Sequence, residues 1–480
     1  MTPWFAVVFE TSFPYGHLLL ALAVVFCFYM AWSIGANDVA NAMGTSVGSG
    51  GMTLKQAVIV AGIMECMGAV FVGSHVSETV RKGMFDPSQF EPMPLVLGFM
   101  AALLAAAVWL QVATYYGWPV STTHSIVGSV VGIGIVIAGM EAINWGKILE
   151  IVASWVTSPL CGGLFAFVLL KIIQNVVIDN KHPLAQAYRF IPFMVFYVAF
   201  VLSLVMVWKG LRNLKLNLDL GEAVLVSAGL GVVTALLSLL WVKRLRIRHE
   251  RQRIEHNIEL TDDVPEGIPF VRKKFRDQEA PKEELRPPLA AGSELPTKRW
   301  EHRRQFEFER VEGIFAALMI VSACFLAFAH GANDVANAVG PLAAVVSILK
   351  TGSVALKSAV PLWILVMGAV GIVIGLATWG YKVIETIGRK ITQLTPSRAF
   401  AANIGAASTI VMASRMGLPV STTHTLVGAV LGIGLARGIE SLNLKMIRDI
   451  LISWIVTIPA GAVLAIVFYY ILKLFFLRGA

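Results

Sequence analysis

Two aspartates define the chemistry available to this chain. Asp38 lies in Gly35-Ala-Asn-Asp-Val-Ala-Asn-Ala42, and Asp334 lies in an identical octapeptide, Gly331 to Ala338, 296 residues further on. Each octapeptide follows an apolar run, and a carboxylate inside a membrane segment is by default functional. With Asn37, Asn41, Asn333 and Asn337 beside them, the two acids offer hard oxygen ligands of the kind small cations take. The alternative is a pair of satisfied interhelical hydrogen bonds, and the identical duplication weighs against it.

A second duplicated motif carries the opposite chemistry. Pro119-Val-Ser-Thr-Thr-His124 recurs 300 residues on as Pro419 to His424. Pro119 and Pro419 each suit the first position of a helix, which would put Ser121, Thr122 and Thr123, and their copies Ser421, Thr422 and Thr423, in first turns. Free backbone N–H groups, the positive end of the helix dipole and three hydroxyls then converge on an anion with several acceptor oxygens. None of the four motifs contains Lys or Arg, while two contain carboxylates. Desolvating an anion beside Asp38 and Asp334 costs several kcal/mol unless counter-ions join it, so adjoining cation and anion sites, the physical basis of symport, are expected. His124 and His424 are candidates to relay protons, although orienting their helices is the expected role. Glu65, in the middle of an apolar span, is a further candidate for coupling.

Apolar segments of membrane-spanning length must position these residues. The chain has 480 residues, 56% hydrophobic and 14% charged, with mean hydropathy +0.72, whereas soluble domains carry about 25% charged residues. An all-α integral membrane protein of about 12 membrane elements is expected. Gly35 and the polar residues of the first octapeptide, followed by glycines at 44, 48, 50 and 51, predict an interrupted or re-entrant helix with unwound carbonyls. Gly128 and Gly132, like Gly428 and Gly432, form GxxxG spacings that suit close helix packing. The expected organisation is a first transport repeat over 1–175, two intervening membrane helices over 176–242, a polar loop over 243–311 and a second repeat over 312–480. Seven apolar elements counted between the two octapeptide spans are read as inverting the second copy, the architecture of many secondary transporters.

Residues 243–310 hold 17 basic and 14 acidic side chains together with six prolines, the composition of a mobile linker. Its basic ends place it in the cytoplasm by the positive-inside rule, within a multi-pass protein of the cell membrane. The remainder of the net charge of +9 is scattered over short loops, which excludes a nucleic-acid partner. Met1–Gly16 has no Lys or Arg, so no cleavable signal peptide is expected. Four cysteines in apolar spans, without CxxC spacing, read as structural thiols. No GxxxxGK[ST], HExxH or GxSxG motif supports an enzyme or an in-chain ATPase. An uncoupled channel or receptor is the rival from another class.

At the two duplicated motifs the chain resembles the inorganic phosphate transporter family, which includes sodium-phosphate symporters. The resemblance covers both repeats and implies a dimeric, inverted-repeat helical transporter that carries phosphate with sodium in many members and with protons in some. It implies that Asp38, Asn41, Asp334 and Asn337 bind sodium as co-substrate. Ser121, Thr122, Thr123, Ser421, Thr422 and Thr423 would hold phosphate, with Asn37 and Asn333 between the two roles. Where sodium-coupled members usually have a glutamate, this chain reads Phe400-Ala-Ala-Asn403. Asn403 therefore bears on the coupling ion and its stoichiometry, and sulfate is the other anion carried by relatives. The halves also differ at Glu65, whose counterpart 300 residues on is Leu365.

Overall fold

The structure is a computed structural model that describes residues 11, 13–72, 84–85, 89–205, 207, 219–255, 296–354, 360–385, 393–416, 418 and 420–477. Among these residues the fold is helical, and the one strand-like feature is an isolated bridge between Phe85 and Ile143. The first octapeptide rod comprises α1 (Gly16–Ile34), a π-helical turn (Gly35–Val39) and α2 (Ala40–Gly48). There follow α3 (Leu54–Val72), α4 (Pro92–Tyr115), α5 (Thr122–Ala138) and α6 (Trp145–Ile173), then α7 (Pro183–Val205) and α8 (Leu220–Glu255). The second half has α9 (Pro296–Thr351), α10 (Leu362–Trp379), α11 (Tyr381–Glu385), α12 (Pro396–Arg415), α13 (Thr422–Arg437) and α14 (Leu444–Phe476). Nine helices among the described residues are long and apolar enough to cross a membrane, and α5 is a shorter apolar helix.

Four expectations are corrected. The octapeptides do not break their helices. The first bends through the π turn, and the second runs unbroken inside α9, because backbone groups surrounded by apolar side chains are best satisfied within a helix. A π turn inserts one residue without opening the helix. The glycines serve close approach instead: a Cβ at Gly35 would stand 1.8 Å from the Ile372 carbonyl oxygen, and one at Gly331 would stand 2.3 Å from that of Glu65.

The prolines do not open the motif helices. Ser121 and Ser421, in extended backbone, are the N-caps, and Thr122 and Thr422 are the first helical residues. A serine hydroxyl accepting the N–H two or three residues on satisfies an end that proline would only tolerate. Pro419 lies outside the described residues.

The polar segment is narrower than its composition suggests. Its first residues continue α8 to Glu255 and its last belong to α9 from Pro296, so the expected boundaries at 242 and 311 fall inside helices; 256–295 lies outside the described residues. Alternating charge sustains a solvated helix as well as a loop. Finally, six helices stand between the octapeptide rods among the described residues, and the parity rule itself is reversed. An even number of crossings is what reverses a chain, whereas an odd number restores its direction.

The two halves pack through each other. α1 lies on α10, α9 on α3, α5 on α14 and α13 on α6, each pair joining one copy of the duplication to the other. Backbones meet at the glycines. Cβ atoms at Gly128 and Gly132 would strike Ile458 and Ala462, and Cβ atoms at Gly428 and Gly432 would strike Pro159 and Gly163. A step of four residues on one helix matches a step of four on the other, so both pairs run parallel. Gly371 against Phe28 and Gly375 against Trp32 repeat the pattern on α10 and α1.

A Cβ at Gly428 would lie 2.2 Å from the Pro159 carbonyl oxygen, whereas one at Gly229 in α8 meets nothing within 4 Å. Gly428→Ala should therefore cost about 1–3 kcal/mol by overpacking and lower the thermal midpoint of the purified protein. Gly229→Ala should hold or raise it, since alanine favours a helix over glycine by about 1 kcal/mol.

Candidate functional site

The duplicated motifs converge on one buried centre. α1 with its π turn brings Asp38, α9 brings Asp334, and the first turns of α5 and α13 bring the threonines. Asp38 is 1% exposed and Asp334 0%, so the centre is closed to solvent. Thr122 Oγ1 donates to Asp38 Oδ2 at 2.6 Å and lies 3.5 Å from Asp334 Oδ1. Thr422 Oγ1 mirrors it, at 2.7 Å from Asp334 Oδ2 and 3.3 Å from Asp38 Oδ1. Thr423 Oγ1 donates to Asp38 Oδ1 at 2.5 Å. Thr123 gives its proton to the Val420 carbonyl at 3.1 Å, and Thr423 Oγ1 in turn lies 3.3 Å from the Val120 carbonyl.

The amides clamp this arrangement. Asn37 donates to Thr114 Oγ1 at 2.9 Å and the Trp118 carbonyl at 3.0 Å, and accepts from Val120 N at 3.2 Å. Asn333 donates to the Val420 carbonyl at 2.9 Å and to Asp334 Oδ1 at 3.1 Å, and accepts from Ser414 Oγ. Each thus fastens its octapeptide helix to the extended residues ahead of its own motif helix. Asn337 donates to Asp334 Oδ1 at 3.0 Å and to Thr123 Oγ1 at 3.4 Å, and its own carbonyl oxygen is buried without a hydrogen-bond partner. Asn41 belongs to α2, and its side chain lies outside the described residues. Ser121 and Ser421 spend their oxygens capping, accepting from His124 N at 3.2 Å and His424 N at 3.1 Å.

Sequence reasoning missed His330. Its Nδ1 bonds Glu65 Oε2 at 2.9 Å, while its Nε2 lies 3.0 Å from Asp334 Oδ2 and 3.9 Å from Asp38 Oδ1. Carboxylates only accept, so a ring facing them through both nitrogens needs a hydrogen on each, or one acid must hold the proton. The signal was present. A histidine four residues before Asp334 shares its helix face, and the first copy has Ile34 at that place. One atom each from Asp38, His330 and Asp334 lie within 4.8 Å of one another, a grouping able to hold a cation. No Lys or Arg donates to either aspartate in the contacts described.

The remaining candidates stand elsewhere. The His124 and His424 rings pack edge to face at 4.2 Å, with Trp155 3.7 Å from the first and Trp454 3.4 Å from the second. That is an aromatic seam between the two motif helices. Asn403 accepts from Thr45 Oγ1 at 2.6 Å and donates to Ser322 Oγ at 3.2 Å, a neutral chain of amide and hydroxyls. A cavity of about 190 Å³ between α6, α9 and α12 shares no residue with the aspartate centre, and its half-buried Glu312 is already bonded to Ser397.

The sequence pattern of a "Phosphate transporter family" matches residues 34–465. A Haemophilus influenzae protein carrying the name phosphate permease is 41% identical over 470 residues, 97% of this chain and 100% of its own length. The chloroplastic inorganic phosphate transporter 2-1 of Arabidopsis thaliana is 43% identical over 459 residues, 95% of this chain and 72% of its own. A solved structure described as the sodium-dependent phosphate transporter superposes with a TM-score of 0.79 at 37% identity, covering 95% of this chain and 99% of that one.

Removing one partner from a buried charged group costs about 3–5 kcal/mol, whereas replacing both by apolar groups costs far less. His330→Leu should therefore destabilise the protein strongly, and His330→Leu with Glu65→Leu should be more stable than the single changes predict by addition. Thermal unfolding of the parent, both single variants and the double variant measures this directly.

Proposed function

The chain belongs to the phosphate transporter family, and from that premise we propose that it imports inorganic phosphate together with sodium, by alternating access between two inverted copies of one repeat. The observation that carries the reading is the meeting of four motifs at one buried centre. Hydroxyl-rich helix starts face two carboxylates there, and no basic residue in the motifs offsets them. An anion enters such a centre only with cations. Asp38, Asp334 and Asn337 are the cation ligands in this reading, with Asn41 on the adjoining turn, and the threonines are the donors for phosphate. Asn37 and Asn333 hold the loops that aim those donors.

The parallel pairing of helices from opposite copies supports inversion. Sodium as co-substrate is supported by the structural relative described as sodium-dependent. Proton coupling is the second reading, favoured by the neutral Thr45–Asn403–Ser322 chain. The protein is placed in the cell membrane with its central segment in the cytoplasm, in keeping with the basic ends of that segment, and is taken to pair as a homodimer.

In proteoliposomes an inward sodium gradient should drive labelled phosphate above its equilibrium level, and a sodium ionophore should abolish the accumulation. Asp38→Asn should weaken phosphate by about tenfold at fixed sodium, within the 5–150-fold range of ordinary site coupling. Accumulation driven by a pH gradient alone would replace sodium with the proton, and competition by sulfate at equal strength would broaden the anion.

A further inference from the structure

The threonines that would serve the anion give their hydroxyl protons to carboxylates. Three hydroxyls stand near Asp38: Thr122 at 2.6 Å and Thr423 at 2.5 Å donate to it, while Thr422, whose proton goes to Asp334, stands 3.3 Å away. Two of these come from the other copy of the repeat. Asp334 is held differently. Thr422 reaches it at 2.7 Å, but its other close partners are nitrogens, the amides of Asn333 and Asn337 and the ring of His330, at 3.0–3.1 Å. All three nitrogens stand on α9, the helix of Asp334 itself.

A hydroxyl has one proton to donate. While Thr122 and Thr423 spend theirs on Asp38, neither can donate to a phosphate oxygen. Bonds to an ionised acceptor are the strong ones, so a dianion does not simply outbid a carboxylate that is already in place. A cation at Asp38 changes the balance. It occupies the carboxylate oxygens and offsets their charge, and the hydroxyls turn about their C–O bonds toward a new acceptor without moving the backbone. Thr123 stands outside the exchange, because its proton lies on the Val420 carbonyl.

We propose, resting on the sodium-coupled reading above, that Thr122 and Thr423 are exchangeable donors shared between Asp38 and phosphate, and that this sharing makes sodium at Asp38 the precondition for the anion. Each hydroxyl competes with sodium before the anion arrives and supports the anion afterwards. Removing one therefore moves the two affinities in opposite directions.

The test measures equilibrium binding of labelled sodium without phosphate, and of labelled phosphate at saturating sodium, on the purified full chain in lipid nanodiscs. Thr423→Val keeps the shape and loses the proton. It should bind sodium several-fold tighter and phosphate about tenfold weaker, the scale of one lost hydrogen bond to a charged group. Thr122→Val should give the same pair of signs and serves if the first variant folds poorly. Thr423→Ser, which keeps the proton, should return both affinities toward the parent values. Thr123→Val, outside the exchange, should not tighten sodium. Loss of both affinities in the two valine variants would make the threonines structural, and an unchanged sodium affinity would make them plain anion ligands; either result overturns the exchange while sodium coupling stands. A parent that binds no sodium would remove the sodium-coupled reading itself, and the exchange with it.

Discussion

Everything at the centre of this protein follows from burying two carboxylates together with no lysine or arginine offsetting them in the described contacts. Asp38 and Asp334 lie close enough to share threonine donors, and two unscreened charges at that range repel strongly in a medium of low dielectric. The chain answers with neutral donors and one ring. Hydroxyls gather on Asp38, amides gather on Asp334, and His330 lies between Asp334 and a third acid, Glu65. A centre so arranged sets three acids against one ring and leaves the Asn337 carbonyl oxygen and one Glu65 oxygen without a hydrogen-bond partner, so negative character is in surplus. That surplus is what gives a small cation a reason to enter and an anion a reason to wait for one.

The same centre exists only because the copies of the duplication interpenetrate. Thr423 of the second copy donates to Asp38 of the first, and Asn337 of the second reaches Thr123 of the first. Neither half holds a complete site. The glycine seams bring this about by letting α5 sit against α14 and α13 against α6 at backbone contact, so that two motif helices begin face to face across the His124–His424 contact. Where lipid supplies no hydrophobic drive between helices, such close approach is the main source of cohesion. A relative shift of the halves would therefore disturb hydrogen bonds that join them at the centre before it disturbed bonds within either half.

The sequence by itself determined the membrane class, the duplication and the identity of the four motifs. Those are properties of composition and repetition, and they survive any arrangement of the helices. It also indicated GxxxG seams at Gly128 and Gly428, because small residues at helical spacing are a local signal. Tertiary structure decided the rest. Polar and glycine-rich residues at 35–42 read as a break because they disfavour a helix in isolation, yet packing against Ile372 and Glu65 holds the same residues helical in both copies. Pro119 looked like a helix start until Ser121 took the cap. Glu65 stood without a partner in the sequence because its partner, His330, is 265 positions away. Hydrogen bonds are set by distance in space, and repetition along a chain does not encode distance, so two identical octapeptides could acquire unequal surroundings.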